Sequence, residues 1–165
     1  MATRTAPATT QGNQRRADRV VTSNRRVFHD YFVVETLEVG IALLGTEIKS
    51  IRDGRATIAE AYARIEHDEL WLIGAHISPY RHGSHSNHDP DRPRKLLAHK
   101  RQIADLRRMV EQRGMTLIPL RLVLKQGRAK LEVGVVRGKK LYDKRQTEAD
   151  RESRRDVERA LRGRE

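Results

Sequence analysis

The sequence holds no cysteine. Disulfide staples and thiolate metal sites are thereby excluded, and the absence fits a reducing compartment. No apolar run is long enough to span a bilayer, so a membrane-spanning helix is not expected. The opening "MATRTAPATTQGNQRRADRV" has no apolar stretch of the secretory kind. It is rich in Arg, Thr and Ala, as a transit peptide would be, but Asp18 and the missing amphipathic pattern count against that reading. A cytoplasmic location is expected. Catalytic chemistry is also thin. Ser78, Ser84 and Ser86 fall in loop sequence, and none sits in a strand-turn-helix nucleophile elbow. "RGKK" has lysines but lacks the Gly-x-x-x-x-Gly-Lys spacing that cradles phosphate. The acids are scattered among bases, as a solvated surface scatters them. Neither an enzyme nor a cofactor is expected.

What the chain does have is positive charge. Its 165 residues favour one domain, and they carry a formal net charge of +12. Charge of that size says nothing about fold. It does attract polyanions, of which nucleic acid is the commonest and an anionic membrane surface the rival. The charge is unevenly spread. Met1 to Asp30 has six arginines against two aspartates, and Arg137 to Glu165 has eleven bases against seven acids. Both ends are poor in aliphatic residues, so neither buries enough apolar surface to offset the entropy of ordering.

The middle reads mainly as strands. "FHDYFVVETLEVGIALLG" predicts two of them, over 28–36 and 38–44, with Gly40 at a bend or bulge. In "GTEIKSIRDG", Thr46 is placed to cap a short helix that Gly54 ends, with Ile48 and Ile51 on one face. "AYARIEHDELWLIG" predicts a hairpin turning at His67-Asp68. "HKRQIADLRRMVEQRG" is the clearest helix, with Ile103, Leu106 and Val110 on one stripe and Gly114 as its stop. "MTLIPLRLVLKQGRAKLEVGVV" predicts a second hairpin turning at Gln126-Gly127. There Leu120, Leu122 and Leu124 share one face, and Leu131, Val133 and Val135 return inward. Pro119 inside a strand marks an edge or bulge. About six strands and two or three short helices make an all-β-leaning α+β domain. Closure into a small barrel removes its exposed edges.

Three stretches carry possible chemistry. "HGSHSNHDP" brings His82, His85, His88 and Asp89 close in sequence, as zinc would require, but it also reads as a polar turn, and no His-x-x-x-His helical spacing is present. A metal-dependent hydrolase built on this loop is the remote rival. "DPDRPRKLLAHKRQ" offers Arg92, Arg94, Lys95, Lys100 and Arg101 as a phosphate-contacting rim. "SNRRVFHDYF" interleaves Arg25, Arg26 and His29 with Phe28, Tyr31 and Phe32, a mixture suited to stacking RNA bases while neutralising phosphates. The competing reading puts at least one of those phenylalanines in the core.

"HDYFVVETLEVGIALLGTEIKSIRDGRATIAEAYARI", "HISPY", "NHDPDRPRKLLAHKRQI" and "GMTLIPLRLVLKQGRAKLEVGVVRGKKLYDKR", in that order, resemble the SsrA-binding protein family, SmpB. The resemblance runs from about Asn24 to Arg145 and continues more weakly through the tail. It implies an oligonucleotide-binding-type β-barrel over 24–137, a flexible extension over 1–23, and a basic tail over 138–165. That tail is expected to be disordered when free and helical on the ribosome. The implied partners are transfer-messenger RNA (tmRNA), the small-subunit ribosomal RNA at the decoding centre and, indirectly through tmRNA, elongation factor Tu. A monomer that rescues stalled ribosomes by trans-translation is expected. Carried over residue by residue, the RNA-facing positions are Glu38, Lys49, Leu97 and Lys130. The decoding-centre motif is Gly138, Lys139, Lys140, Tyr142, Asp143, Lys144 and Arg145. Beyond it, Arg151, Arg154 and Arg155 offer further ribosomal contacts. Two departures from the family pattern stand out: Ala98 where an aliphatic Leu is common, and the long Arg-rich N-terminus. A general ribosomal or initiation-type barrel is the other reading of the same fold.

Overall fold

The computed structural model describes residues 18–83 and 85–162. Most of the expected N-terminal extension (1–17), Ser84 and the last three residues lie outside them. Two hairpins organise the rest. Strands β4 (Tyr62–Glu66) and β5 (Glu69–Ile73) turn through His67 and Asp68, whose φ angles are 49° and 61°. Strands β8 (Thr116–Lys125) and β9 (Arg128–Gly138) turn through Gln126 and Gly127, at 51° and 80°. Paired positive φ values twist a two-residue loop the way the strands already twist, and both turns are where the sequence places them. Strand β2 (Tyr31–Ile41) pairs with β9, and β7 (Arg94–Leu97) bridges β5 and β2. The order β8-β4-β5-β7-β2-β9 returns to β8, closing an antiparallel ring of six strands. A two-stranded sheet, β3 (Ala56–Thr57) with β6 (His76–Ile77), lies beside it.

The interior is aliphatic. Leu70, Leu131, Val133 and Val135 are fully buried, together with Ile51 of helix α2 (Gly45–Arg52). Helix α3 (Lys100–Arg113) turns Ile103 and Leu106 onto this core, and Gly114, at φ 62°, ends it.

Several expectations change. The stretch 28–44 is not two strands. A short helix, α1 (Val27–Asp30), precedes one continuous β2, and the bulge falls at Val34 rather than Gly40. Gly40 meets a different need: a Cβ there would stand 3.3 Å from the Leu97 Cβ. Leu120 leaves the face of Leu122 and Leu124. It is the extra residue where the β8–β9 register shifts after Pro119, so it packs with Val27, Ile118 and Val136. Thr46 does not cap α2. The Leu44 N–H donates instead to the Glu47 carboxylate at 2.7 Å, and Thr46 bonds His88. Residues 19–23, assigned to the flexible extension, form strand β1 (Arg19–Ser23) on β8. Within the basic tail, Leu141–Arg162 forms helix α4, the conformation expected of it on the ribosome, supported by good helix formers and by pairs such as Arg162–Glu158.

One buried cluster ties these parts together. The Glu47 carboxylate is fully buried and accepts bonds from Arg92 (2.8 and 2.6 Å), Arg94 (2.9 Å) and the Leu44 N–H. Arg94, equally buried, also donates to the carbonyls of Ala75, Arg92, Asp89 and Pro90. Burial alone would raise the Glu47 pKa, but its four donors outweigh that and hold it below the ordinary value. Glu47→Ala leaves the Arg94 guanidinium buried without its acid, so it should cost about 3–5 kcal/mol in denaturant unfolding. A depressed carboxylate contributes stability above its unfolded pKa and loses it as pH falls through the folded one. The parent should therefore weaken faster than Glu47→Ala in acid below about pH 4.5. Equal stability of parent and variant at neutral pH would contradict the assignment.

Candidate nucleic-acid interface

Strand alternation decides which bases reach the surface. In β7, Arg94 and Leu96 point inward while Lys95 and Leu97 point out. The expectation that Arg94 contacts RNA is therefore corrected: its five donors are spent inside the protein. Lys95 and Leu97 instead enter an open groove with Glu38 of β2, Lys130 of β9 and Lys100 at the start of α3. Gly40 floors it, which explains the close approach to Leu97. Leu97 is 53% exposed, a large apolar side chain presented among cations. Lys95 pairs with Glu69 at 2.5 Å, and Glu38 pairs with Lys125. Lys100 and Lys130 make no ion pair among the described residues. Three of the four carried-over positions, Glu38, Leu97 and Lys130, thus share one groove. Lys49 does not line it: it is exposed on α2, 5.4 Å from the Tyr80 ring centroid. Arg101 is exposed on α3 outside the groove walls. His99 and Gln102, which also line the groove, went unread because neither type announces a phosphate contact.

A second cleft lies between α1 and α4. Arg25, Phe28 and His29 face Thr147, Glu148, Arg151 and Arg154 across it. Phe28 is 54% exposed, so that ring is not part of the core. Tyr31 is half-buried against the Val27 cluster, and Arg26 reaches Asp30 and Glu60 at 3.8 and 3.6 Å. Two ion pairs draw the tail in: Lys144 to Asp30 at 3.3 Å, and His29 Nε2 to Glu148 at 2.6 Å. Sequence reasoning missed Asp30 and Glu148, since the contact joins residues 119 apart. Gly138, carried over as the first residue of the decoding-centre motif, pairs with Tyr31 at the end of the sheet. Lys140, Tyr142, Arg145 and Arg155 are exposed, Asp143 accepts from the Lys140 N–H at 3.3 Å, and α4 buries no residue.

The histidine loop is used structurally. His88 is buried between Thr46 and the Ile77 carbonyl, and His76 pairs with Asp91. Among the described residues no three His, Asp or Glu side chains gather closely enough to hold a metal ion. None of the described helices is long and apolar enough to cross a membrane.

A closed antiparallel barrel with a cationic groove and a basic helical arm defines an RNA-binding protein of the oligonucleotide-binding-barrel class. Comparison narrows this. A family model described as SmpB protein matches residues 21–163. The SsrA-binding protein of Roseiflexus sp. (strain RS-1) is 55% identical over 148 residues, covering 89% of this chain and 94% of its own. That of Desulfitobacterium hafniense (strain Y51) is 54% identical over 144 residues, covering 87% and 92%. A solved chain from "tmRNA-SmpB: a journey to the center of the bacterial ribosome" superposes with a TM-score of 0.62. It is 48% identical and covers 74% of this chain and 85% of its own. The chain belongs to the SmpB, or SsrA-binding protein, family.

The ion pair at the tail root should depend on pH. Hydrogen bonding to Asp30, then to Glu148, raises the His29 pKa above 6.5. A raised histidine contributes fully below its unfolded pKa and loses that contribution as pH rises through the folded one. The imidazole should titrate above 6.5 in an NMR series, and Glu148→Gln should lower its midpoint. Identical midpoints in parent and variant would show that α4 does not rest on α1.

Proposed function

We propose that this protein is a non-enzymatic adaptor that binds the transfer-RNA-like part of tmRNA through the barrel groove. It then delivers that RNA to stalled ribosomes for trans-translation. The observation that carries the proposal is the convergence of Glu38, Leu97 and Lys130 in one groove of a chain that belongs to the SmpB family. The chemistry suits folded RNA. Lys100 and Lys130 neutralise phosphates, Leu97 packs against an unstacked base or sugar, and Glu38 accepts from a 2′-hydroxyl or a base amine. The α1–α4 cleft adds an exposed ring and three arginines. The tail is the ribosomal module, running through the decoding centre into the empty messenger channel. There Tyr142 stacks on a base, and Arg145, Arg151, Arg154 and Arg155 meet ribosomal phosphates. Elongation factor Tu joins through the tmRNA it carries. The protein acts as a cytoplasmic monomer.

The two modules separate in experiment. Lys130→Ala should weaken tmRNA binding and lower the slope of log affinity against log salt by about 1, with folding intact. Asp143, Lys144 and Arg145 changed together to Ala should keep tmRNA binding, yet stop tagging on ribosomes stalled on truncated messenger. Tyr142→Ala should weaken acceptance by about 1–3 kcal/mol through lost stacking. A triple variant that tags normally, or loses tmRNA binding in step with tagging, would refute the division of labour. Equal affinity for ordinary transfer RNA would favour the general ribosomal reading.

A further inference from the structure

Strand register places two carboxylates face to face on the outer surface of the barrel. Glu38 of β2 stands directly opposite Glu132 of β9. Residues paired in this way project from one face with Cβ atoms about 5 Å apart, and like charges there repel. Lys130 projects from the same face of β9, two residues and roughly 7 Å from Glu132. It is the groove lysine opposite Gly40. A free Glu132 carboxylate would therefore have one attractive target beside it, the Lys130 ammonium, and one repulsive neighbour, the Glu38 carboxylate.

Arg121 takes up that carboxylate. It pairs with Glu132 from the other side, on β8. Its Nε donates to Glu132 Oε2 at 2.7 Å and its Nη2 to Oε1 at 3.1 Å. A two-toothed bond of this kind sets direction as well as distance. The Glu132 side chain is only 17% exposed, so its partner rather than water decides where it lies. Glu38 is engaged by a different base, Lys125. Each acid thus has its own cation, which leaves Lys130 without an acid among the described residues. Half-exposed on the arginine side, the Arg121–Glu132 pair adds little to folding. Its larger effect falls on the charges beside it.

We propose that Arg121 is a positioning residue for RNA binding: it holds the Glu132 carboxylate away from Lys130, so that the Lys130 ammonium stays free for an RNA phosphate. The inference rests on the groove reading and deepens it. Arg121 does not line the groove, so it acts through Glu132. Without it, a bare carboxylate would stand within one Debye length, about 10 Å at 0.1 M salt, of both Lys130 and Glu38. A planar guanidinium suits the task, because its fork engages both carboxylate oxygens and leaves neither aimed at the lysine.

Titration of tmRNA against the full chain at several salt concentrations tests this. Arg121→Gln should weaken binding and lower the slope of log affinity against log salt by about 1, as Lys130→Ala should. Glu132→Gln should bind at least as tightly as the parent. The Arg121→Gln/Glu132→Gln pair should regain the parent's affinity and slope, because no carboxylate is left to occupy Lys130. Added to Lys130→Ala, Arg121→Gln should lower the slope no further. Unfolding midpoints of the free variants should match the parent's. Where Arg121→Gln does not fold, Arg121→Lys carries the same test, since it holds Glu132 by one contact in place of two. Three results would overturn the inference. One is an Arg121→Gln chain that binds like the parent. Another is a double variant as weak as Arg121→Gln, which would make Arg121 itself the RNA contact. The third is a weakened Glu132→Gln, which would make the carboxylate the contact. The groove reading fails separately: Lys130→Ala with the parent's affinity would sink that reading and this inference with it. A weak Lys130→Ala beside a parent-like Arg121→Gln sinks the inference alone.

Discussion

The buried Glu47–Arg94 pair is the constraint on which the groove depends. It is an uncomfortable choice for a core, since two charges leave water and only dense hydrogen bonding offsets that. Here the offset is nearly complete: Glu47 has four donors, and Arg94 meets four carbonyls besides its acid. An apolar pair would fill the same space with less risk. It would not fix α2, the loop before β7 and the β7 strand in one register. Because Arg94 is held inward, alternation sends Lys95 and Leu97 outward. Because Gly40 has no side chain, Leu97 lies down on β2 beside Lys130. A slip of one residue in β7 would turn both groove residues into the core. Specificity of register, more than stability, is what the pair supplies.

Acids near the interface temper the bases. Glu69 holds Lys95, and Glu38 holds Lys125, so the groove presents a pattern rather than a uniform positive field. A field alone binds any polyanion. Lysines held at fixed places beside an exposed Leu and a carboxylate favour a folded RNA surface over a bare phosphate chain. The same balance recurs along α4, where Asp156 and Glu158 meet Arg159 and Arg162.

Some of this is legible in the chain. The two hairpins are, because His67-Asp68 and Gln126-Gly127 are turn residues between alternating runs. Helix α3 is, because its apolar stripe and Gly114 agree. The bulge at Val34 is not, because an extra residue is defined by the partner strand and leaves no local mark, whereas Pro119 does mark the shift at Leu120. Arg94 misleads for a related reason. In "DPDRPRK" it is one base among three, and only its strand parity with Leu96 separates it from the outward-facing Lys95. The groove's membership is legible through family resemblance at Glu38, Leu97 and Lys130, and Lys49, also carried over, lies exposed on α2 outside the groove. The α1–α4 contact joins residues far apart in sequence and has no apolar periodicity to betray it.

The polarity of that last contact has a physical logic. An apolar seam between α4 and the barrel would hold the tail firmly, and it would have to be torn open, exposing hydrocarbon, whenever the tail moved to another surface. A polar seam made of Lys144, His29, Asp30 and Glu148 exchanges its partners instead. Each group can trade a protein partner for water or for RNA at small net cost, since hydrogen bonds are replaced rather than lost. The exposed Leu141, Val157 and Leu161 fit the same scheme: they are too few and too far apart to bind α4 to its own barrel. A helix held at its base by exchangeable bonds and unpacked along its length has little to break when it leaves the barrel.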